Sequence, residues 1–473
     1  MLASLKPYPH MKDSGIEWLG EVPAHWSVLP NRSIFEEVKE SGRPKEQMLS
    51  VTILNGVIRQ DDLLRESSSK DQSRIDKSAY KLVQQGDIAY NKMRAWQGAI
   101  GVSRHRGIVS PAYIVHRLLN GSATCSEYFH YLFKTPAFAN EAERCSYGIT
   151  SDMWSLRSED FKIICLCVPP FAEQSAIARL LDRATSRIDR CIHAKEKLIA
   201  LLEEQKQALV NDAVTGRIDV RTGKRYPAYK LSGVEWLGDV PAHWEVRRLK
   251  SLMANVVDQK HSGAGEVAFL ALEHVESWTG KLQHSERVFA PDGQSKEFQA
   301  GDILFGKLRP YLAKVTRPEE AGRCVGEFLV LRSRHENYQG AYAEHFLRSK
   351  LVIDTINSST YGARMPRAEW TFIGNLRVVC PPLPEQTAIA CFLDEATANA
   401  NRAIARAKRE IELLREYRTC LIADIVTGKL DVREAANELP ELDSGPDDGD
   451  AEQFGPNQGH NHSKPACGRR HRK

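Results

Sequence analysis

Thirteen residues near the start of the chain, SGIEWLGEVPAHW at Ser14–Trp26, return as SGVEWLGDVPAHW at Ser232–Trp244, with only Ile16/Val234 and Glu21/Asp239 exchanged. These copies lie 218 residues apart, and Lys6, Tyr8, Pro9 and Lys12 match Lys224, Tyr226, Pro227 and Lys230 at the same offset. Two further pairs lie 212 apart: PPFAEQSAIARLLD (Pro169–Asp182) with PPLPEQTAIACFLD (Pro381–Asp394), and AVTGRIDVR (Ala213–Arg221) with IVTGKLDVR (Ile425–Arg433). A unit this long is no solenoid repeat, so the chain must build two similar halves. Because the offset is the same at Pro169 and at Ala213, the segment between them has one length in both halves. The drift from 218 to 212 falls in the middle of the unit, which is six residues shorter in the second copy and barely alignable. Each unit has ends of fixed length and a middle free to vary.

The fixed segment reads as a long helix. Residues 173–211 and 385–423 contain no Pro or Gly and are rich in Ala, Leu, Glu, Lys, Arg and Gln. Heptad-like spacing places Ile177, Leu181, Ala184, Ile188, Cys191, Leu198, Leu202 and Leu209 on one seam. In the second copy it places Ile389, Leu393, Ala396, Ala400, Ala403, Ala407, Leu414, Tyr417 and Leu421 there; Lys195 and Gln205 interrupt the first seam and Glu410 the second. Pro170 and Pro384 suit helix entry, and Gly216 and Gly428 suit a C-terminal stop. About 40 residues at 1.5 Å each predict a rod near 60 Å long.

The variable middles read as mixed α/β. KLVQQGDIAYNKM and FQAGDILFGKL predict a turn feeding a strand, GIVSPAYIVHRL and CVGEFLVLRS further strands. CSEYFHYLFKTPAFANEAE and GAYAEHFLRSKLVIDTIN have helical periodicity. The resulting division is 1–170 and 219–382 as globular domains, 171–218 and 383–433 as helices, and 434–473 as a Pro-, Gly- and Asp-rich tail expected to be disordered. That tail carries eight acidic and five basic residues, which leaves residues 1–433 at +7 and compatible with a polyanionic partner. Lys6, His10 and Lys12 break any apolar leader, and no run approaches the roughly 18 apolar residues of a membrane span. With ten cysteines in 473 residues, the expectation is a reducing cytoplasm rather than a disulfide framework.

No catalytic motif in the sequence is complete. VPPF at Val168–Phe171 and CPPL at Cys380–Leu383 approach the Asn/Asp-Pro-Pro-aromatic site of amino-methyltransferases, but Val168 and Cys380 cannot accept the hydrogen bonds that site needs. TGKR (Thr222–Arg225) and TGKL (Thr427–Leu430) lack the rest of a P-loop. GHNH at Gly459–His462 sits in the tail with no fold to set ligand geometry. Cys165 and Cys167, at strand spacing, read as buried thiols. No catalytic residue, metal site or cofactor is expected.

Two variable α/β regions, each followed by a fixed-length helix opened by PP-x-x-EQ, resemble the specificity subunit of type I restriction–modification enzymes. The resemblance rests on the two SG-x-EWLG-x-VPAHW copies, on the two PP-x-x-EQ-x-AIA helix starts and on GDI before a basic segment, and it covers nearly all of residues 6–433. It implies an α+β chain of two tandem target-recognition domains separated by two long helices in an antiparallel coiled coil, pseudo-twofold and nearly circular. It further implies a non-catalytic prokaryotic cytoplasmic protein whose partners are double-stranded DNA, two methyltransferase subunits and restriction/translocase subunits. A coiled-coil scaffold and a self-contained adenine methyltransferase remain the rival readings.

Candidate DNA contacts come in matched sets. Lys92 and Arg94 in YNKMRAW match Lys307 and Arg309 in FGKLRPY, where basic side chains leave a strand. A solvated strand edge would carry the same residues. The loops SYGITSDMW (Ser146–Trp154) and TYGARMPRAEW (Thr360–Trp370) offer Tyr147 and Thr150 in the first half and Tyr361, Arg364 and Arg367 in the second.

Overall fold

The computed structural model describes residues 5–62, 76–119, 124–150, 153–257, 259–260, 268–283, 295–360 and 365–437. Tyr361, Arg364, GHNH and the tail beyond Asn437 lie outside them. The chain divides into one compact unit of Met1–Asp182 with Ile422–Lys473, and a second of Arg183–Leu421.

Each unit centres on a four-stranded antiparallel sheet. In the first, Phe35–Val38, Tyr113–Leu118, Ile88–Asn91 and Ile100–Val102 lie in that order. In the second, Met253–Val256, Phe328–Ser333, Ile303–Gly306 and Val315–Thr316 repeat it. Two short helices follow the sheet: Ser126–Phe133 and Pro136–Arg144, then Gly340–Arg348 and Lys350–Ser358. Thr135 separates the first pair, its hydroxyl accepting from the Phe138 amide at 3.2 Å while Pro136 opens the next helix.

The aspartate of each GDI motif serves the sheet. Asp87 is buried and takes a two-pronged contact from Arg117 at 2.8 and 2.9 Å. Asp302 does the same with Arg332 at 2.8 and 2.7 Å. Lys81 and Lys296 reach the carbonyls of Tyr113 and Phe328 at 2.7 and 2.6 Å. These pairs are all 215 apart, so the middles that sequence hardly aligns share one framework.

The central strand of the first sheet also carries a polar group that the second lacks. His116 is fully buried, stacked at 5.9 Å and 7° on Tyr90 and 4.7 Å from Phe161. Neither His116 ring nitrogen nor the Tyr90 hydroxyl has a hydrogen-bond partner. Phe305, Leu331 and Ile373 hold the equivalent places in the second unit and are likewise buried. Burial pushes His116 down to about 4, with Glu37 and Glu159 opposing and Lys162 and Lys81 reinforcing it. Below pH ~6.5 an unfolded His116 therefore binds a proton that the folded one refuses until the pH reaches its lowered value. The first unit should lose about 3 kcal/mol between pH ~6.5 and ~4 on this account. Urea midpoints across that range should fall less steeply for His116→Leu; parallel curves would remove His116 as the cause.

The two long helices are Phe171–Thr215 and Leu383–Val426, of 45 and 44 residues, each longer than the periodic segments alone predict. Both stop at a glycine with positive φ, Gly216 at 76° and Gly428 at 79°. The amides of Arg217 and Lys429 then close back on the carbonyls of Asp212 and Asp424 at 2.9 and 2.8 Å. Within the second unit the helices lie side by side and antiparallel: Lys195 pairs with Glu410, Glu196 with Arg415, Asp189 with Arg418, and Lys206 with Asn401. The seam follows the predicted heptads only in part. Ile188 and Ala407 are buried as expected, but so are Ile192, Ile404 and Ile411, whereas Cys191, Leu198, Ala403 and Tyr417 are exposed. A stripe stepping by three and four leaves two neighbouring positions eligible at each turn, and the isoleucine one turns inward.

The repeated VPAHW and PP-x-x-EQ strings meet each other. Glu173 accepts hydrogen bonds from the Tyr8 hydroxyl, from His25 at 2.9 Å and from the Trp26 indole at 3.2 Å. Glu385 accepts from Tyr226 at 3.0 Å, His243 at 2.9 Å and Trp244 at 2.8 Å, with Arg221 at 3.3 Å. Burial pulls the Glu385 carboxyl up, but the donors on Trp244, His243 and Tyr226 outweigh it and hold the group below its ordinary value. The following glutamines tie the proline pair to the domain helices. Gln174 bonds the Pro169 carbonyl and the Cys125 amide, both at 2.8 Å. Gln386 bonds the Pro381 carbonyl and the Gln339 amide, also at 2.8 Å. Histidine within VPAHW thus bonds a carboxylate as well as packing beside tryptophan.

Each helix C-terminus rests on a VPAHW segment. At Gly216 a side chain would strike Pro241 and Trp244; at Gly428 it would strike Pro23 and Trp26. Tyr342 donates to the Val214 carbonyl at 3.0 Å, as Tyr128 does to Val426 at 3.0 Å. Asp219 bridges to Lys224 in the continuous chain, and Asp431 bridges to Lys6 across the chain ends, with amide–carbonyl distances of 2.8 and 2.7 Å. Cys167 is buried, but Cys165 is only half-buried, contrary to the expectation for the pair.

The tail assignment also needs correcting at its start. Arg433–Asn437 is helical, and Ala435 and Ala436 are buried with Val432. These three apolar residues have the spacing of one helical face, a short signal at the head of a polar stretch.

Candidate nucleic-acid interface

In the first unit the strand Ile88–Asn91 ends in a turn that exposes Lys92 and Arg94. Asn91 shapes it, its side chain accepting from the Met93 amide at 3.0 Å and its carbonyl from Arg94 at 2.9 Å. Buried Ala95 anchors the turn, and Gly98, at φ 90°, reverses the chain into the next strand. The second predicted loop lies against it. Tyr147 pairs with Ser155 through amide–carbonyl bonds of 3.2 and 3.0 Å, and the Leu156 amide reaches the Lys92 carbonyl at 2.8 Å. Trp96 and Trp154 meet edge to face at 5.2 Å, and the Arg157 guanidinium stands 5.4 Å over the Tyr147 ring. Lys92, Arg94, Tyr147 and Thr150, separated by more than fifty residues in sequence, therefore belong to one loop cluster.

The second unit repeats the juxtaposition. Beyond Ile303–Gly306, the Ala368 amide bonds the Lys307 carbonyl at 2.9 Å, and the Arg309 amide bonds the Pro366 carbonyl at 2.8 Å. Leu308 and Arg367 form a β-bridge. Arg309 is exposed with φ 51°, a left-handed conformation an arginine rarely adopts, ahead of buried Pro310. Lys307 is half-buried, and exposed Arg367 makes an ion pair of 3.0 Å with Glu327. Such an exposed pair is worth at most about 1 kcal/mol, which a phosphate or base edge can readily outbid. Tyr361 and Arg364 lie outside the described residues.

Sequence reasoning passed over several residues of this surface. Arg157 adds positive charge beside Tyr147, and Met93, Ile149, Met153, Tyr311 and Met365 are large apolar side chains left exposed. Their signal was available: bulky apolar residues inside loops otherwise polar. Among the described residues no three His, Cys, Asp or Glu side chains converge on a possible metal position, and no helix is long and apolar enough to cross a membrane.

No family model matches the sequence. The chain is 23% identical over 390 residues to the type I restriction enzyme EcoDI specificity subunit of Escherichia coli, spanning 78% of this chain and 82% of that protein. It is 20% identical over 479 residues to the EcoKI specificity subunit of Escherichia coli K12, spanning 90% and 93%. The chain's relatives are type I specificity subunits. A chain from a structural study of complex assembly and conformational transition in the type I R-M system superposes with a TM-score of 0.64 at 14% identity, over 86% of this chain and 99% of that one. The mixed helix-and-sheet fold is thus shared with a chain of that system. The likeness to type I specificity subunits runs through both halves, so it does not rest on one shared motif.

Proposed function

We propose that the chain is the non-catalytic DNA-specificity subunit of a type I restriction–modification complex in the prokaryotic cytoplasm. Residues 1–170 and 219–382 each read one half of a bipartite double-stranded target. The helices of 171–218 and 383–433 act as an antiparallel coiled coil that sets the spacing and docks two methyltransferase subunits, to which restriction/translocase subunits add. The observation that carries this reading is the equivalence of the two junctions, Asp219–Lys224 within the chain and Asp431–Lys6 across its ends. It supports a pseudo-twofold, nearly circular chain that offers like surfaces to two half-sites of opposite orientation. Leu198, Leu201, Leu413 and Tyr417, exposed on the long helices, supply apolar area for docking.

The DNA contacts proposed are Lys92, Arg94, Tyr147, Thr150, Lys307, Arg309, Tyr361, Arg364 and Arg367. Binding of the assembled complex to matched and mismatched duplexes across a salt series tests them. Arg367→Ala should cost about 1–3 kcal/mol and relax preference at one position if it reads a base edge. Lys307→Ala should weaken binding to every sequence and lower the salt slope by about one, as a lost phosphate contact does. Unchanged affinity, specificity and slope in both would move the DNA surface elsewhere on the domain.

A further inference from the structure

We propose that the first recognition domain reads thymine through its C5-methyl group, with Ile149 and Met153 as the apolar probes. This rests on the DNA-reading function proposed above and names the base chemistry of one surface. Ile149 is 91% exposed, Tyr147 72%, Met153 46% and Met93 37%. Isolated exposed apolar side chains are ordinary, but four on two adjoining loops are not a scatter. Nor are those loops loosely held. The Tyr147–Ser155 pairing, the bond from Leu156 to Lys92 and the Trp96–Trp154 contact fix their bases. The Met153 amide closes the tip on the Thr150 carbonyl at 2.9 Å.

The surroundings decide what would cover such a tip. Lys92, Arg94 and Arg157 flank it, and Arg157 is held over Tyr147. Cations around an apolar centre match the major groove, where phosphates line the rims and bases the floor. On that floor thymine is the base that presents an apolar group, its C5-methyl, and aliphatic side chains recognise it by contact. Ile149 and Met153 amid these cations, with Asp152 the one acidic residue of their loop, therefore suit thymine, on either strand, better than guanine, which calls for arginine itself.

The test replaces thymine by uracil, which lacks only that methyl. Methylation mapping in a host expressing the full system first gives both half-sites, and exchange of residues 27–168 shows which half belongs to this domain. The assembled complex is then titrated with duplexes carrying uracil in that half-site or, as control, in the spacer. Uracil in the half-site should weaken binding roughly fourfold for each methyl contacted, the effect of one buried CH₂ group, and uracil in the spacer should not. The double variant Ile149→Ser/Met153→Ser should bind thymine and uracil duplexes alike. A half-site with no thymine, equal binding of the two duplexes by the unaltered chain, or a thymine preference that survives in the double variant overturns the inference while leaving the DNA-reading function standing. So does a double variant that loses methyltransferase binding instead, which would make the apolar tip a protein-docking surface. If exchanging 27–168 leaves both half-sites unchanged, the DNA-reading function itself falls.

Discussion

Glu385→Ala should destabilise the second unit by about 3–5 kcal/mol, the scale of breaking a buried charged network by removing one partner. The carboxylate collects donors from Tyr226, His243 and Trp244, and their removal from it would leave the indole and hydroxyl with no replacement acceptor in a nearly closed site. Glu385→Gln keeps the volume and one acceptor oxygen, so it should cost less. Amide exchange across residues 226–244 would locate the effect. Protection of those amides equal to that of the unaltered chain would mean that the network is incidental to the fold. The same substitution at Glu173 should act on residues 8–26.

Replacing residues 27–168 with the corresponding segment of a related specificity subunit should change one half of the recognised sequence completely and leave the other half intact. The boundaries are physically sound. Ser27 pairs with Val168 and Pro30 with Cys165, so both strands of that antiparallel pair travel together. Tyr8, His25, Trp26 and Glu173 stay behind with the host. Methylation mapping reads the outcome; a target altered in both halves, or in neither, would contradict one domain per half-site. Truncation experiments on the tail should start after Asn437, because Ala435 and Ala436 are buried.

The long helices were legible from sequence because propensity, proline entry and glycine exit all agreed. Their facing was only partly legible. Leu198 and Ile199 both suit the periodicity, and two helices bury a stripe too narrow to take both. The strands and helices of the middles were legible as well, but not the equivalence of the two middles. Their common framework is carried by a few charged residues, Asp87 with Arg117 and Asp302 with Arg332, lost among substitutions elsewhere. The meeting of VPAHW with PP-x-x-EQ was invisible because the partners, Trp26 and Glu173, lie 147 residues apart. Loops bearing Lys92 and Tyr147 could each be picked out by composition, but adjacency between them belongs to the folded chain alone.

The bridge between Lys6 and Asp431 has a consequence for synthesis on the ribosome. The second unit is one continuous stretch, Arg183–Leu421, whereas the first is assembled from Met1–Asp182 and a piece beginning at Ile422. Translation delivers residues 6–26 before the second unit, yet the Val426 carbonyl, Gly428 and Asp431 that complete their surroundings emerge after it. Until then Tyr128 and the Pro23–Trp26 surface lack their contacts with the end of the second long helix, while every residue of the second unit has already been made. The domain begun first is completed only after the second, and part of its aromatic surface stays uncovered until then.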